Sequence, residues 1–83
     1  MRYSHTIHED AIRSLFALGI PERRKLLAEC EALARRPFVE PDYVRVAGDG
    51  RPMSHVIRGN HAIAYWVDHS ARLVYISRID PAD

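Results

Sequence analysis

The fold is decided by the stretch His55-Val56-Ile57-Arg58-Gly59-Asn60-His61-Ala62-Ile63-Ala64-Tyr65-Trp66-Val67-Asp68, followed by Arg72-Leu73-Val74-Tyr75-Ile76-Ser77-Arg78-Ile79. Its short apolar runs are rich in β-branched and aromatic residues. They are separated by Gly59-Asn60 and by Asp68-His69-Ser70, which are typical of turns. This pattern predicts three antiparallel strands that carry arginines and histidines among apolar side chains. We expect a small sheet with a basic face to be the working surface.

The composition predicts one domain spanning residues 1–83. The chain has 83 residues, of which 47% are hydrophobic, and a formal charge of +1, so any basic patch must come from the arrangement of charges. Cys30 is the only cysteine and excludes an internal disulfide. No apolar run has the length of a membrane span or a secretory signal. These features predict a cytoplasmic protein with no membrane partner.

A helical hairpin is predicted upstream of this stretch. Residues 3–7 alternate like a short strand, and apolar residues recur at helical spacing over 8–18 and again over 22–36. Gly19 is expected to be a left-handed cap at the end of the first helix. Pro21 suits the start of the second helix, and Pro37 ends it.

The period then changes to that of strands, which are predicted over residues 43–47, 53–58, 62–67 and 73–79. The predicted fold is therefore α+β. An N-terminal strand and a helical hairpin precede a four-strand antiparallel meander, and the meander packs on the helices. Its other face is left open for function.

These segments carry a family resemblance. Val46-Ala47-Gly48, then Val56-Ile57-Arg58-Gly59-Asn60-His61, then Ala62-Ile63-Ala64-Tyr65-Trp66-Val67 resemble the RelE/ParE toxins of bacterial type II toxin–antitoxin modules. In this region the family shows a hydrophobic-Arg step, a Gly-containing turn, a Tyr-Arg pair and an apolar strand with Tyr. The helical hairpin, which ends in Leu33-Ala34-Arg35-Arg36-Pro37, is similar too. The resemblance covers nearly the whole chain.

The resemblance implies one of two activities. RelE-like members cleave messenger RNA in the ribosomal A site without a metal, and ParE-like members poison DNA gyrase. Either activity implies a cognate antitoxin, which we expect to meet the helical hairpin and an exposed sheet edge. The partners would be the ribosome and mRNA, or gyrase, and no cofactor is expected. A non-toxic binding module with the same fold is the third hypothesis.

Several family positions are altered in this chain. His61 and Ala62 stand where the family commonly has Tyr-Arg, and Ser54 and Val56 fall where RelE has catalytic lysines. The sequence stops at Pro81-Ala82-Asp83, before a C-terminal Arg and Tyr of the family pattern. We therefore expect a degenerate active site, in which RelE chemistry is not intact.

The residues that remain define the candidate site. Arg58 and His61 are the predicted catalytic residues, with Arg58 on the phosphate and His61 in proton transfer. Phosphate or RNA binding is predicted for Arg45, Arg51, Arg78 and Trp66. No metal site is predicted, because the five histidines lack metal-ligand spacing, and Cys30 is expected in the core.

The hairpin register decides which of these residues share a face. A strict two-residue loop, Gly59-Asn60, would place Arg58 and His61 beside Val56 and Ile63 on one face. A three-residue loop ending at His61 would instead set Ile57 opposite Ile63. In that register Tyr65 and Val67 join the core side, His55 points toward the core, and four residues face outward: Arg58, Ala62, Ala64 and Trp66. We favour the three-residue loop because it separates charges from apolar residues, although a shift of one residue would invert every facing.

Overall fold

The computed structural model describes residues 2–82, which form five strands and two helices. In chain order they are β1 (Ser4–Ile7), α1 (Glu9–Phe16), α2 (Ile20–Arg35), β2 (Tyr43–Val46), β3 (Pro52–Arg58), β4 (His61–Asp68) and β5 (Leu73–Pro81). The strands form one sheet in the order β1-β5-β4-β3-β2. β1 runs parallel to β5, and the other neighbours are antiparallel. The predicted α+β fold and its four-strand meander are confirmed.

The turn between the helices differs from the prediction. Gly19 has φ −65° and caps the N-terminus of α2, so the expected left-handed cap on α1 is wrong. The Arg23 side chain instead binds the carbonyl oxygens at the end of α1 and in the turn that follows. Its guanidinium donates to the carbonyl oxygens of Leu15, Phe16 and Leu18 at 3.0, 3.3 and 3.1 Å. Because the last carbonyls of α1 find partners in this way, the helix needs no left-handed glycine.

The hairpin between β3 and β4 has a two-residue loop, so the favoured three-residue loop is wrong. Arg58 pairs with His61, Ile57 with Ala62 and Val56 with Ile63. Gly59 has φ +61°, and Asn60 is not in the positive region, which is the pattern of a tight turn with glycine at its first central position. A positive φ at this position favours glycine. A turn of this type also matches the twist of the flanking strands.

This register sets the two faces of the sheet. The helix-facing side carries Val56, Ile63, Tyr65, Val74, Ile76 and Ile79, which pack against residues of the helical hairpin: Ala11, Leu15, Leu26, Cys30 and Leu33. Tyr65 and Val67 lie on the core side as predicted. His55 does not, because it is the cross-strand partner of Ala64 on the face turned away from the helices. The same face of β3 also presents Ile57, whereas Arg58 lies on the helix-facing side.

A β-bulge decides the facing of the last strand. Ala64 pairs with Arg78 and Tyr65 pairs with Ile76, which leaves Ser77 as the extra residue. Without the bulge, strict alternation from Ile76 through Ser77 would turn Arg78 toward the helices. With it, Arg78 lies on the outer face and Ile79 is buried at 1% exposure.

Neither helix within residues 2–82 is long and apolar enough to cross a bilayer.

The register predicts unequal costs for the same substitution at two neighbouring positions of the hairpin. Ile63 is fully buried and Ile57 is 38% exposed. Ile63→Ala should lower the free energy of unfolding by about 2–5 kcal/mol, because it leaves a cavity between the sheet and the helices. Ile57→Ala should cost about 1 kcal/mol or less. Urea unfolding followed by circular dichroism measures both, and equal losses would contradict the two-residue loop.

Candidate nucleic-acid interface

The sheet face turned away from the helices, here called the open face, carries arginines stacked on aromatic rings. Arg45 lies with its Cζ 5.1 Å from the centroid of the Tyr43 ring. Tyr43 in turn stacks on His55, with centroids 4.6 Å apart and planes 12° from parallel. These three residues form the first stack. Since β2 and β3 place Tyr43 opposite His55, the alternation of the strands alone brings the rings together.

A second stack lies on the next strands. The Cζ of Arg51, in the turn before β3, is 4.9 Å from the centroid of the Trp66 ring. Trp66 stacks on its cross-strand partner Tyr75 at 4.1 Å and 9°. A guanidinium held over a ring by cation–π attraction keeps its in-plane N–H donors free for planar acceptors such as phosphate. Each stack therefore combines a hydrogen-bond donor fork with aromatic surface.

Arg78 lies across the central strand from the first stack. The register runs from Tyr43 to His55, from His55 to Ala64, and from Ala64 to Arg78, so these four residues form one row across the sheet. Arg78 is paired with Asp80 on its own strand at 3.3 Å, and its side chain is 65% exposed. Exposed pairs of this kind contribute little to stability, so the guanidinium can exchange its partner for an incoming anion.

Arg58 and His61 lie on the helix-facing side, in a groove of about 650 Å³ between α2 and the hairpin. Arg58 Nε lies 2.6 Å from Glu29 Oε2, and its Nη1 lies 3.8 Å from Asp42 Oδ2. His61 Nδ1 lies 3.2 Å from Glu22 Oε1. The expectation that Arg58 faces outward is therefore wrong, and carboxylates neutralise the charge that the strand end brings to this side.

The structure divides the predicted site residues into two groups. It brings Arg45, Arg51, Arg78 and Trp66 together on the open face. It places Arg58 and His61 on the other side of the sheet. Their roles stay predictions. Three members of this surface were not predicted from the sequence: Tyr43, His55 and Tyr75. Strand alternation with the correct hairpin register would have found the first two, and the cross-strand position opposite Trp66 the third.

Metal and thiol chemistry find no support in the part of the chain that the structure describes. Across residues 2–82, no three His, Cys, Asp or Glu side chains gather as ligands for a metal ion. Cys30 is fully buried among core residues, as expected. Burial, followed by the charges of Glu29 and Glu31, raises the pKa of its thiol to about 11. The thiol is therefore protonated at neutral pH and is not an activated nucleophile.

The ion pair between Arg58 and Glu29 gives a prediction about stability. Both side chains are 35% exposed, whereas the helical pair Arg13 and Glu9 is 72% and 74% exposed. A double-mutant cycle with Arg58→Ala and Glu29→Ala should give a coupling energy of about 0.5–1 kcal/mol, because this pair is partly desolvated. The matched cycle at Arg13 and Glu9 should give less than about 0.5 kcal/mol. Equal couplings in urea unfolding would show that partial burial does not strengthen the pair between Arg58 and Glu29.

No protein-family model and no curated protein sequence matches this chain. Solved structures do match it along almost its whole length. A chain of the RelBE2 toxin–antitoxin complex of Mycobacterium tuberculosis superposes with a TM-score of 0.78 at 23% identity, covering 98% of this chain and 99% of that one. A chain of the RelE–RelB complex of Pyrococcus horikoshii gives 0.77 at 18% identity, covering 98% and 96%.

The isolated RelE toxin of Escherichia coli is similar as well, with a TM-score of 0.75 at 18% identity over 98% of this chain and 85% of that one. Agreement of this extent at such low identity is agreement in the fold. The helical hairpin packed on one face of a five-stranded sheet is thus the RelE fold, and the RelE-like fold predicted from the sequence is confirmed.

Proposed function

We propose that the chain is the toxin of a type II toxin–antitoxin pair and acts on messenger RNA in the ribosome through its open face. The observation that carries this proposal is the pair of arginine–aromatic stacks, Arg45–Tyr43–His55 and Arg51–Trp66–Tyr75, on the uncovered face of a RelE fold. Translating ribosomes would be its site of action in the cytoplasm.

The two stacks match the chemistry of single-stranded RNA. Its phosphates are bound by arginine, and its unpaired bases stack on aromatic rings and guanidinium planes. The open face offers Arg45, Arg51 and Arg78 for phosphate, with Asp80 as the acid beside Arg78. At the hairpin end of the helix-facing side, Arg58 is instead paired with Glu29, and His61 lies against Glu22. The open face is therefore basic, although the net charge of the chain is only +1.

The predicted catalytic pair stands apart from this surface. The sheet separates Arg58 and His61 from the stacks, so an RNA segment that lies flat on the open face does not contact their side chains. Val56 stands where RelE has a catalytic lysine, and it is 1% exposed, so its side chain belongs to the core. The proposal that Arg58 and His61 are catalytic is therefore a separate one. If Arg58 acts on the RNA, Arg58→Ala lowers the cleavage rate in the mRNA assay, and an unchanged rate excludes that role.

The open face predicts which arginines are needed for cleavage. Purified protein is added to a translating extract, and cuts in a reporter mRNA are mapped by primer extension. Arg45→Ala with Arg51→Ala should lower the cleavage rate at least about tenfold, because two positive charges near the phosphates are lost. The control removes two exposed arginines of α2, Arg24→Ala with Arg35→Ala, and should keep the wild-type rate.

The same preparations separate the competing functions. If wild-type protein cuts no mRNA and instead blocks supercoiling by purified gyrase, the ParE-like alternative replaces this proposal. If neither target is affected and cells grow normally during expression without an antitoxin, the chain is a binding module. If the α2 control variant fails as badly as the open-face variant, the open face is not the RNA surface.

We further propose an antitoxin partner, because apolar side chains are exposed where the sequence analysis placed its contacts. At the edge strand β2, Val44 is 54% exposed and Val46 is 71% exposed. At the junction of the helices, Phe16 is 68% exposed and Ile20 is 60% exposed. One of the similar structures is a toxin–antitoxin complex by its own description, and another is a RelE–RelB complex. An extended segment that pairs with β2 would cover the two valines.

Co-expression with the product of an adjoining small reading frame tests this partner. The tagged toxin should retain that product through purification. Val44→Asp with Val46→Asp should weaken the complex at least about tenfold, since each charge would be buried in an apolar contact. Phe38→Asp is the control, because Phe38 is 77% exposed and lies away from both surfaces. Retention unaffected by the β2 changes would exclude this edge, and no retained protein would overturn the partner proposal.

A further inference from the structure

His55 is the histidine of the open face. It is half-buried on β3, stacked against Tyr43, and directly opposite Ala64 on the central strand. The sequence analysis placed it toward the core, and only the two-residue turn brings it to this surface. Its ring is therefore held between neighbouring strands on the face that carries the arginine stacks.

A hydrogen bond defines the tautomer of the neutral His55 ring. His55 Nδ1 lies 3.1 Å from the backbone carbonyl oxygen of Met53. A carbonyl oxygen only accepts, so Nδ1 carries the hydrogen and donates it. In the neutral ring the lone pair is then on Nε2, which is the nitrogen available to a ligand. This is the arrangement by which a general base is oriented by a third group.

The row across the sheet places a cation on the other side of the central strand from His55. Ala64 is flanked by His55 on β3 and by Arg78 on β5, so the Cα atoms of His55 and Arg78 are two strand spacings apart, roughly 10 Å. Ala64 has only a methyl side chain and is 5% exposed, so the neighbouring side chains of the open face cover it. A phosphodiester bound over this row would have an imidazole on one side and a guanidinium on the other.

Other histidines are engaged elsewhere. His61 contacts Glu22 on the helix-facing side, and His8 accepts the capping hydrogen bond of α1 from the Asp10 amide. His69 Nδ1 is hydrogen-bonded to the Tyr3 hydroxyl at 2.7 Å. His5 lies on the edge strand β1, beyond β5 and away from the row.

We propose that His55 is the general base of RNA cleavage, with Arg78 holding the phosphate across Ala64; this inference rests on the proposed ribonuclease function. His55 Nε2 takes the proton of a ribose 2′-hydroxyl, and the 2′-oxygen forms a bond to the adjacent phosphorus. The bond from phosphorus to the 5′-oxygen breaks, and that oxygen takes a proton from water. The hydroxide left behind takes the proton from the imidazolium, so the ring returns to its first state. The products are a 2′,3′-cyclic phosphate and a 5′-hydroxyl.

The test measures single-turnover mRNA cleavage in the translating extract over a range of protein concentrations. His55→Gln should lower the maximal rate by about 10²–10⁴-fold, the contribution of a general base, with the half-saturating concentration changed little. His55→Ala should lose the same activity and recover part of it when imidazole is added, which a structural role would not produce. Arg78→Ala should raise the half-saturating concentration as well as lower the rate. His5→Gln is the control and should cleave like the wild type.

The outcomes distinguish this inference from the function on which it rests. If the wild type cleaves and folded His55→Gln cleaves at the same rate, His55 is not the base and the nuclease function stands. If the loss is confined to His61→Gln, the base lies on the helix-facing side and the inference is overturned. If His55→Ala is inactive and imidazole restores nothing, the role of the ring is structural. If the wild type cleaves no mRNA, the proposed function fails and the inference fails with it.

Discussion

The two-residue turn at Gly59-Asn60 is the constraint on which the arrangement of the molecule depends. Gly59 adopts φ +61°, a left-handed conformation that a residue without Cβ reaches at little cost. The turn sets Arg58 opposite His61, and strand alternation then assigns every residue of β3 and β4 to a face. Val56 and Ile63 reach the core by this rule, and His55 reaches the open face. One more residue in the loop would shift the register by one residue, and the side chains of β3 would then face the opposite way relative to those of β4.

The same register brings a cation and a histidine to the side that packs on the helices. These polar side chains are tolerated there because Glu29 and Glu22 of α2, together with Asp42, lie within contact of Arg58 and His61. Acidic side chains thus contact Arg58 and His61 at the hairpin end of the helix-facing side. The open face retains its arginines with aromatic rings as their neighbours. Separation of charge between two faces gives a nearly neutral chain one surface of arginines and aromatic rings, on which the proposed function rests.

The elements could be predicted because their apolar periods are strong and local. Both helices, all five strands and the buried positions of Cys30 and Tyr65 followed from spacing alone. The hairpin register could not, because the sequence argument required charges and apolar residues to separate. That requirement ignored the acids that α2 brings to the hairpin. Gly19 was misassigned for a similar reason, since Arg23, one turn into the next helix, satisfies the carbonyls of α1.

The sequence by itself determined the kinds of element, their order, and the presence of arginines and aromatic residues in the strands, since propensity and periodicity act over a few residues. The tertiary structure alone decided which of those side chains meet. Arg78 reaches the open face through the bulge at Ser77, and the rows across the sheet arise from pairing between strands distant in the chain. His55 became a candidate site residue in the same way, because facing is a property of paired strands and a single strand does not specify it.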